Sequence, residues 1–334
     1  MTELVSIIIP AYNAEKWIGE TIKSAINQTW GNKEIIIVDD GSSDATFKIA
    51  SGFESKNVKV ISQRNKGASA ARNTALTIAQ GTYIQYLDAD DLLAPDKISC
   101  QLQESIKGLD SLVLLSSAWG KFFSRPNRAQ FRPSSLWQDL DPVEWIIRKF
   151  TENTFMADSS WLVSRRLIEI AGRWDERLSL DDDGEYACRV VSKCEKVKFV
   201  ADAKCYYRVG SIGSQSFMTS DKALHSQFLS ICLCIEHIKL VEDSERTRRA
   251  CWNYLNDYYN FFYPDNVTLS KNVRDLAASL GGDLNVPVER HHSRLFKTLF
   301  GQKRARKIRH LYNRYKLVWL NILDKLGDDF NSMR

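Results

Sequence analysis

Residues 34–44 read Glu-Ile-Ile-Ile-Val-Asp-Asp-Gly-Ser-Ser-Asp, a β-branched run that ends in acidic and turn-forming residues. Such a run is typical of a buried strand. Similar runs predict strands at 4–9, 57–62 and 82–87, and the segments between them carry apolar residues at helical spacing. This alternation of strand and helix predicts an α/β fold, with a parallel sheet covered on both faces. The helices are predicted at 14–29, 43–53 and 67–80, and farther along a helix at 95–107, a strand at 111–118 and a helix at 182–192.

The composition is that of a folded globular protein. The 334 residues include 46 Lys and Arg against 41 Asp and Glu, a net charge of +5, and 44% are hydrophobic. These values exclude extensive disorder. No apolar stretch reaches the about 18 residues that span a bilayer, and the first residues lack the features of a secretory signal. Seven cysteines form no Cys-x-x-Cys pair, so we expect a cytoplasmic protein.

Acidic residues follow two of the predicted strands. Ligands of parallel sheets bind beyond the carboxyl ends of the strands. Asp40 follows the second strand, and Asp88, Asp90 and Asp91 follow the fourth. Asp88 and Asp90 point to the same side of an extended segment, where they repel each other unless a cation neutralises them. Carboxylates without His or Cys suit Mg²⁺ or Mn²⁺. A solvated turn or helix cap is the simpler alternative for one Asp-x-Asp, but the second acidic strand end favours the metal.

Gly67 and Arg72 mark a candidate phosphate site. Gly67 permits close backbone approach at a helix N-terminus, whose free N–H groups favour anions, and Arg72 adds a positive charge. A pyrophosphate suits this arrangement, whereas a capped helix with one Arg is the simpler alternative. The glycine patterns of dinucleotide dehydrogenases and P-loop enzymes are absent from the sequence.

Four segments in this order resemble the family 2 glycosyltransferases. The family pattern reads P-x-Y-N-x-E, V-D-D-G-S-x-D, N-x-G-x-x-x-A-R-N and L-D-x-D-D. The chain matches it at Pro10, Tyr12, Asn13 and Glu15; at Val38 to Ser43 and Asp44; at Asn65, Gly67, Ala71, Arg72 and Asn73; and at Leu87, Asp88, Asp90 and Asp91. The resemblance covers about residues 3–216.

A fifth segment extends the resemblance. The family carries G-G-F-D-E-x-L, then a Glu-Asp pair, then an Arg. Here residues 172–178 precede Asp181, Asp182 and Asp183, and Arg189 follows. By that spacing Asp183 takes the place of the catalytic base. Asp182 replaces the family's Glu, and the triple run leaves a register shifted by one residue open.

The resemblance implies a GT-A fold, in which a Rossmann-like, mostly parallel sheet has helices on both faces. It also implies a nucleotide-diphospho-sugar donor, with a UDP-sugar as the favoured one, and inversion at the anomeric carbon. Asp183 would remove the proton of the acceptor hydroxyl. Mn²⁺ or Mg²⁺ on Asp90, with Asp88 assisting, would stabilise the departing diphosphate. By the same resemblance, Tyr12 would stack on the base, and Asp40 would accept a hydrogen bond from it. The full set of implied donor contacts is Pro10, Tyr12, Glu15, Asp40, Gly67, Arg72, Asp88 and Ala89.

Several residues have a structural alternative to a role in the site. The carboxylates at 181–183 also suit the first turn of a helix, where one can cap while Asp183 faces the cleft. Trp161 and Trp174 are expected to line the apolar face of an acceptor sugar or to pack in the core, which is the commoner fate of a Trp. The family's loop over the diphosphate is loosely similar to the segment with Tyr207, Arg208, Ser214 and Ser216.

From about residue 217 the pattern becomes helical, with predicted helices at 222–240, 244–262 and 303–326. Ten Lys or Arg and no Asp or Glu lie between residues 290 and 316. Together with apolar residues at helical spacing, they predict a basic amphipathic helix. Docking on an anionic membrane and packing on the catalytic domain are equally favoured. Nothing resembles a nucleic-acid-binding module, so no nucleic-acid partner is expected.

The sequence thus predicts a catalytic domain at 1–216, with a nucleotide-sugar half at about 1–92 and an acceptor half at about 93–216, and a helical region at 217–334. The predicted activity is sugar transfer to a glycan or glycolipid in polysaccharide or glycolipid assembly, in the cytoplasm or on the cytoplasmic face of a membrane. A metal-dependent nucleotidyltransferase acting on a sugar phosphate is one rival, but it needs a Gly-rich basic loop after the first strand. A sugar-nucleotide-binding protein without catalysis is another, and Asp183 argues against it.

Overall fold

The computed structural model describes residues 3–106, 111–210, 220–262, 266–284 and Asp324. The strands are β1 (Val5–Ala11), β2 (Lys33–Asp39), β3 (Val58–Ser62), β4 (Tyr83–Tyr86), β5 (Leu92–Leu93), β6 (Val113–Phe122), β7 (Gln130–Phe131), β8 (Val163–Ser164) and β9 (Lys196–Arg208). The helices are α1 (Ile18–Ile26), α2 (Thr46–Ser51), α3 (Ala68–Ile78), α4 (Lys97–Ile106), α5 (Pro142–Glu152), α6 (Arg165–Ala171), α7 (Asp182–Lys193), α8 (Asp221–Val241), α9 (Glu245–Phe262) and α10 (Val267–Ser279).

The first four strands form a parallel sheet, as the sequence predicts. The strand order is β3-β2-β1-β4-β8, and β8 is the antiparallel strand at the edge. Ile8 packs into the hydrophobic core on one face of this sheet, and Ile7 and Ile9 pack into the core on the other. Burial on both faces explains why these strands are continuously apolar. The carboxyl ends of β1, β2 and β4 lie along one edge, where the polar segments follow.

A second sheet with the order β5-β9-β6-β7 adjoins the first. Its long strand β9 pairs in parallel with β6, and β6 continues four residues beyond the predicted end at 118. The sequence did not predict β9, because its Lys, Asp and Arg residues break the apolar pattern that marked the other strands. Since β9 ends at Arg208, the predicted loop cannot begin at Tyr207.

Helices α5, α6 and α10 were also missed, although each begins with a side-chain N-cap, which for α10 is Asn266. The Asp141 carboxylate accepts a hydrogen bond from the backbone N–H of Glu144 at 2.9 Å, and Pro142 occupies the first turn of α5. The Ser164 hydroxyl accepts a hydrogen bond from the N–H of Leu167 at 3.1 Å and caps α6. An N-cap residue followed by Pro is a start signal that sequence analysis can use.

The sequence predicted no apolar stretch long enough to cross a membrane, but helix α8 meets that length and composition by itself, with a mean hydropathy of 1.2 over 18 residues. In this structure one of its faces packs against α7, and Ile231, Cys234 and Ile238 are buried there. The predicted domain boundary at 216/217 lies outside the described residues. So does the predicted basic helix at 303–326, except for Asp324, whose carboxylate accepts a hydrogen bond from the N–H of Ser124 at 2.9 Å.

Candidate active site

The loops after β1 and β2 hold each other in place. The Asn13 side-chain oxygen accepts a hydrogen bond from the Ser43 N–H at 2.8 Å, and the Glu15 carboxylate accepts one from the Ala45 N–H at 3.1 Å. Beside these contacts, Tyr12 leaves 53% of its surface exposed. The ring of Tyr12 is therefore presented to solvent on a loop that is fixed from both sides, as a stacking surface requires.

Asp40 is buried, and its carboxylate already accepts three hydrogen bonds. The donors are the Gln63 amide at 2.7 Å and the backbone N–H groups of Lys66 at 2.9 Å and Gly67 at 2.8 Å. A carboxylate offers about four acceptor positions, so little capacity remains for a nucleotide base. The neighbouring Asp39 was not singled out by the sequence, yet its buried Oδ1 has no hydrogen-bond partner in the part of the chain that the structure describes. Asp39 is therefore the better placed acceptor.

The turn after β4 presents two carboxylates and buries a third. Asp88 and Asp90 are half-buried, whereas the Asp91 side chain is fully enclosed and accepts a hydrogen bond from the Arg208 N–H at 2.8 Å. Burial, with the neighbouring charges of Asp90 and Asp88, holds the pKa of Asp91 well above its ordinary value. The Thr21 hydroxyl donates to the carbonyl oxygens of Ala89 and Asp91, each at 2.9 Å. The predicted donor residue Ala89 thus helps to fix the turn through its backbone.

Arg72 does not lie at an open phosphate site, as the sequence suggested, but in the middle of a carboxylate cluster. Its guanidinium contacts Asp88 at 2.8 Å, Asp182 at 3.0 Å and Asp158 at 3.2 Å, and it lies 4.1 Å from the ring centroid of Trp174. Burial alone would lower the pKa of Arg72, but these carboxylates raise it. Arg72 therefore joins the Asp88–Asp91 turn to the start of α7.

Asp158 is a site residue that the sequence analysis missed. It lies in a 3₁₀ turn between α5 and β8, and burial raises its pKa well above the ordinary value despite the contact with Arg72. The same turn continues to Ser159, whose hydroxyl lies 3.4 Å from the Asp91 carboxylate. No motif marks this segment. Only its placement in the folded chain brings Asp158 to the cluster.

The three consecutive aspartates at the start of α7 have different surroundings. Asp181 adopts a left-handed backbone conformation, with φ of 60°, and its carboxylate accepts hydrogen bonds from Gln227 and Ser230 of α8, each at 2.7 Å. The Asp182 carboxylate accepts hydrogen bonds from Arg72 and from the Ser69 hydroxyl, each at 3.0 Å. Gly184 is required here, since a Cβ on it would lie 2.1 Å from the Asp181 carboxylate.

Asp183 is half-buried and has no hydrogen-bond partner among the described residues. Burial, followed by the charges of Asp181 and Asp182, raises the pKa of Asp183 to about 7. A carboxylate with an unused acceptor and a pKa near neutrality is suited to remove a proton. The contacts of Asp181 and Asp182 thus favour the predicted register, in which Asp183 is the base.

Three other predicted residues have structural roles. Trp161 and Trp174 are 5% and 3% exposed, and the Trp174 ring stacks on Tyr186 at 4.0 Å, so both pack in the core as the alternative interpretation has it. Arg208 is buried between the rings of Trp17 and Phe122, at 4.2 and 4.4 Å. Its guanidinium donates to the Asp90 carbonyl at 2.8 Å, and this contact ties β9 to the acidic turn. Arg208, which the loose resemblance placed in a loop over the diphosphate, is thus a buried residue at the end of β9.

The acidic turn fits a hard divalent cation. Among the described residues, no group of three or more His, Cys, Asp or Glu side chains is arranged to hold a metal by protein ligands alone. Mg²⁺ and Mn²⁺ need less, since they are commonly bound through one or two carboxylates and substrate phosphates. Asp88 and Asp90 are two partly accessible carboxylates on one turn, and this donor set suits such an ion.

Arg72, through its contacts with Asp88 and Asp182, thus joins the carboxyl ends of the parallel strands to the start of α7. The Glycosyl transferase family 2 model matches residues 6–170. Glycosyltransferase GlyG of Streptococcus pneumoniae serotype 4 is 38% identical over 221 residues, which are 62% of this chain and 71% of GlyG. The chain belongs to glycosyl transferase family 2.

Two further likenesses concern the fold and the relatives. The Escherichia coli protein UDP-Glc:alpha-D-GlcNAc-diphosphoundecaprenol beta-1,3-glucosyltransferase WfgD is 43% identical over 105 residues, 31% of this chain and 42% of WfgD. The crystal structure of S. aureus TarS 1-349 in complex with UDP-GlcNAc superposes with a TM-score of 0.67 at 18% identity, covering 98% of this chain and 93% of that one. This likeness confirms the GT-A fold. Three other curated relatives are matched over only 16%, 41% and 62% of their length.

Proposed function

We propose that this chain is an inverting glycosyltransferase that moves a sugar from a UDP-sugar to a hydroxyl of a glycan or lipid-linked glycan. The observation that carries the proposal is one cleft in which a half-buried carboxylic acid with an unused acceptor, Asp183, is linked through Arg72 to the acidic turn after β4. Family membership and the nucleotide sugars in the names of TarS and WfgD support it.

The donor nucleotide binds at the ends of β1 and β2. The exposed ring of Tyr12 stacks on the base, and the unpartnered Asp39 Oδ1 accepts a hydrogen bond from it. Asp40, Gly67 and Glu15 act through the loops that they hold together, and Pro10 ends the strand from which the Tyr12 loop leaves. Uracil presents an N–H and a flat ring, which suits this pair of contacts.

A divalent cation, Mn²⁺ or Mg²⁺, would be held by Asp88 and Asp90, and it would supply positive charge at the departing diphosphate. The remaining contacts of the turn come from the protein. The buried Asp91 carboxylate accepts hydrogen bonds from the Arg208 N–H and the Ser159 hydroxyl, and Arg72 donates to one oxygen of Asp88. These contacts keep two carboxylates close together before substrate arrives.

Asp183 acts as the general base. Its carboxylate takes the proton of the acceptor hydroxyl as that oxygen attacks the anomeric carbon from the face opposite the diphosphate. The new C–O bond forms while the bond from the anomeric carbon to the diphosphate oxygen breaks, and the diphosphate leaves with the electron pair. Asp182 is less suited to take the proton, because Arg72 and Ser69 both donate to its Oδ2 and hold this carboxylate in the ion pair.

A donor panel tests the proposal. UDP, UDP-Glc and UDP-GlcNAc, each with and without Mn²⁺, are expected to raise the melting temperature of the full chain, since binding to the native state alone stabilises it. The chain is also expected to hydrolyse one of the sugar nucleotides slowly and to release UDP. Absence of both stabilisation and hydrolysis across the panel would contradict the proposal, and release of pyrophosphate from UTP and a sugar phosphate would favour a nucleotidyltransferase.

We also propose that the enzyme works in the cytoplasm or at the cytoplasmic face of a membrane, on the strength of the ten basic residues between 290 and 316. Each such residue near an anionic surface contributes about 1 kcal/mol, weakened by salt. The full chain is expected to co-sediment with phosphatidylserine vesicles at low salt and to detach at high salt. Failure to bind at low salt would leave the packing alternative for this segment.

A further inference from the structure

Three aromatic side chains form a surface cluster that no sequence motif marked. Trp119 on β6, Phe155 before the 3₁₀ turn and Tyr207 on β9 have ring centroids 4.8 to 6.1 Å apart, and we call them the aromatic platform. Phe155 is 37% exposed, and the other two rings are half-buried. Lys121 is exposed, with its ammonium group 5.5 Å from the Trp119 centroid and 5.7 Å from that of Phe155.

The aromatic platform lies near the acidic turn after β4 and near Asp158. Tyr207 precedes Arg208, whose backbone N–H contacts Asp91 at 2.8 Å. Phe155 lies three residues before Asp158, which contacts Arg72 at 3.2 Å. Consistent with these contacts, burial and then the charges of Asp91, Asp88 and Asp183 raise the pKa of the Tyr207 phenol. The platform is thus next to the cleft, on the side of the acceptor half.

Charge on the adjoining hairpin limits what the platform can bind. Residues 121–132 run from the end of β6 through β7 and carry four cations and no carboxylate in sequence: Lys121, Arg125, Arg128 and Arg132. Asp324 lies near two of them, with its carboxylate 3.9 Å from Arg128. Aromatic rings with a polar edge suit ligands that are apolar on one face and hydrogen-bonding on the other. A sugar ring has such faces, and the basic hairpin favours a ligand that also carries phosphate.

We propose that the aromatic platform and Lys121 form the acceptor subsite, with the rings packing against the acceptor sugar and Lys121 pairing with a phosphate of the diphosphate to which that sugar is linked. This inference rests on the proposed glycosyltransferase function and names its acceptor class. It replaces the buried Trp161 and Trp174, which the sequence suggested for this role.

Steady-state transfer to two acceptor probes tests the subsite. One probe is N-acetylglucosaminyl diphosphate on a short alkyl chain, and the other is the neutral alkyl N-acetylglucosaminide, which lacks the diphosphate. The donor is whichever of UDP-Glc and UDP-GlcNAc the wild type hydrolyses. We expect the diphosphate probe to have at least about a tenfold lower KM. Phe155→Ala should raise KM about tenfold for both probes, whereas Lys121→Gln should remove the difference between them. Donor hydrolysis and donor KM should stay unchanged in both variants.

Leu240→Ala and Lys193→Gln are matched controls on exposed positions of α8 and α7, and they should leave both KM values unchanged. Acceptor KM values within twofold of wild type in both Phe155→Ala and Lys121→Gln would overturn the inference. So would a wild type that hydrolyses donor but transfers to neither probe. Failure to hydrolyse or bind any sugar nucleotide would instead overturn the proposed function, so the two failures are distinguishable.

Discussion

The two sides of the proposed active site are built in different ways. The proposed nucleotide side comes from residues 10–91, where loops directly follow buried parallel strands, and the β2 loop hydrogen-bonds to the loops after β1 and β3. The proposed acceptor side is assembled from the turn at Asp158, the end of β9 and the start of α7, and α8 from the helical region supports it. The residues proposed for donor binding are therefore close in sequence, whereas those proposed for acceptor binding are brought together by long-range packing.

Arg72 is where the two sides meet, so its loss should have the largest effect. Arg72→Met leaves Asp158 and Asp182 without their buried cation, and such unpaired charges typically destabilise a fold by about 3–5 kcal/mol. Arg166→Met, at an exposed position on α6, should change the free energy of unfolding by less than about 0.5 kcal/mol. Urea unfolding of both variants measures this. Equal stabilities would mean that the two sides are not joined through Arg72.

Asp90→Asn should damage the nucleotide side alone. We expect the affinity for UDP in the presence of Mn²⁺ to fall more than about 100-fold, because even groups that only support a metal ligand contribute about 10- to 100-fold. EDTA should have the same effect on the wild type. Calorimetric titration with UDP measures the affinity, with Asp202→Asn, an exposed carboxylate on β9, as the control. Unchanged metal-dependent binding would refute Asp90 as a metal ligand.

Ser230→Ala should damage the acceptor side alone. It removes a 2.7 Å hydrogen bond to the half-buried Asp181 carboxylate, and loss of a partner for a group removed from water costs about 1–3 kcal/mol. The expected result is a lower free energy of unfolding and slower transfer, with unchanged affinity for UDP. Ser279→Ala on α10 is the matched control, because the Ser279 hydroxyl donates to the Leu276 carbonyl oxygen of the same helix at 2.7 Å. A loss of UDP affinity in Ser230→Ala would show that α8 supports both sides.

A smaller effect is expected from pH. With a pKa of about 7, Asp183 is mostly protonated at pH 6 and mostly ionised at pH 8, so the transfer rate should rise about tenfold between them. Because this pKa is raised on folding, Asp183 favours the folded state at low pH, and that contribution is lost as pH rises through 7. The wild type should therefore lose free energy of unfolding between pH 5 and pH 8, and Asp183→Asn should make this loss smaller. The charged or titratable groups around it include Asp181, Asp182, Arg72, Lys149, Asp158 and Tyr207.

The same contrast explains what could be predicted from sequence. The parallel sheet and the acidic strand ends followed from apolar runs and the polar residues after them, and the structure has them there. Asp39 was overlooked in favour of Asp40 because only the fold shows that both oxygens of Asp40 accept hydrogen bonds, whereas Oδ1 of Asp39 has no partner among the described residues. Asp158 and Phe155 lie in a segment without periodicity, and β9 alternates too irregularly to be recognised. Charged residues such as Arg72 and Arg208 are expected at the surface, but tertiary packing buries both side chains.

At the start of α7, Asp182 contacts Arg72, and in the proposed mechanism the neighbouring Asp183 removes the proton of the acceptor hydroxyl. The most direct measurement compares kcat for transfer, together with UDP affinity, in Asp183→Asn and Asp182→Asn. Asp183→Asn should lower kcat about 10²- to 10⁴-fold with unchanged UDP affinity and an intact fold. Asp182→Asn should mainly lower stability, because it removes the carboxylate that Arg72 contacts at 3.0 Å. A stable, inactive Asp182→Asn beside an active Asp183→Asn would contradict the account.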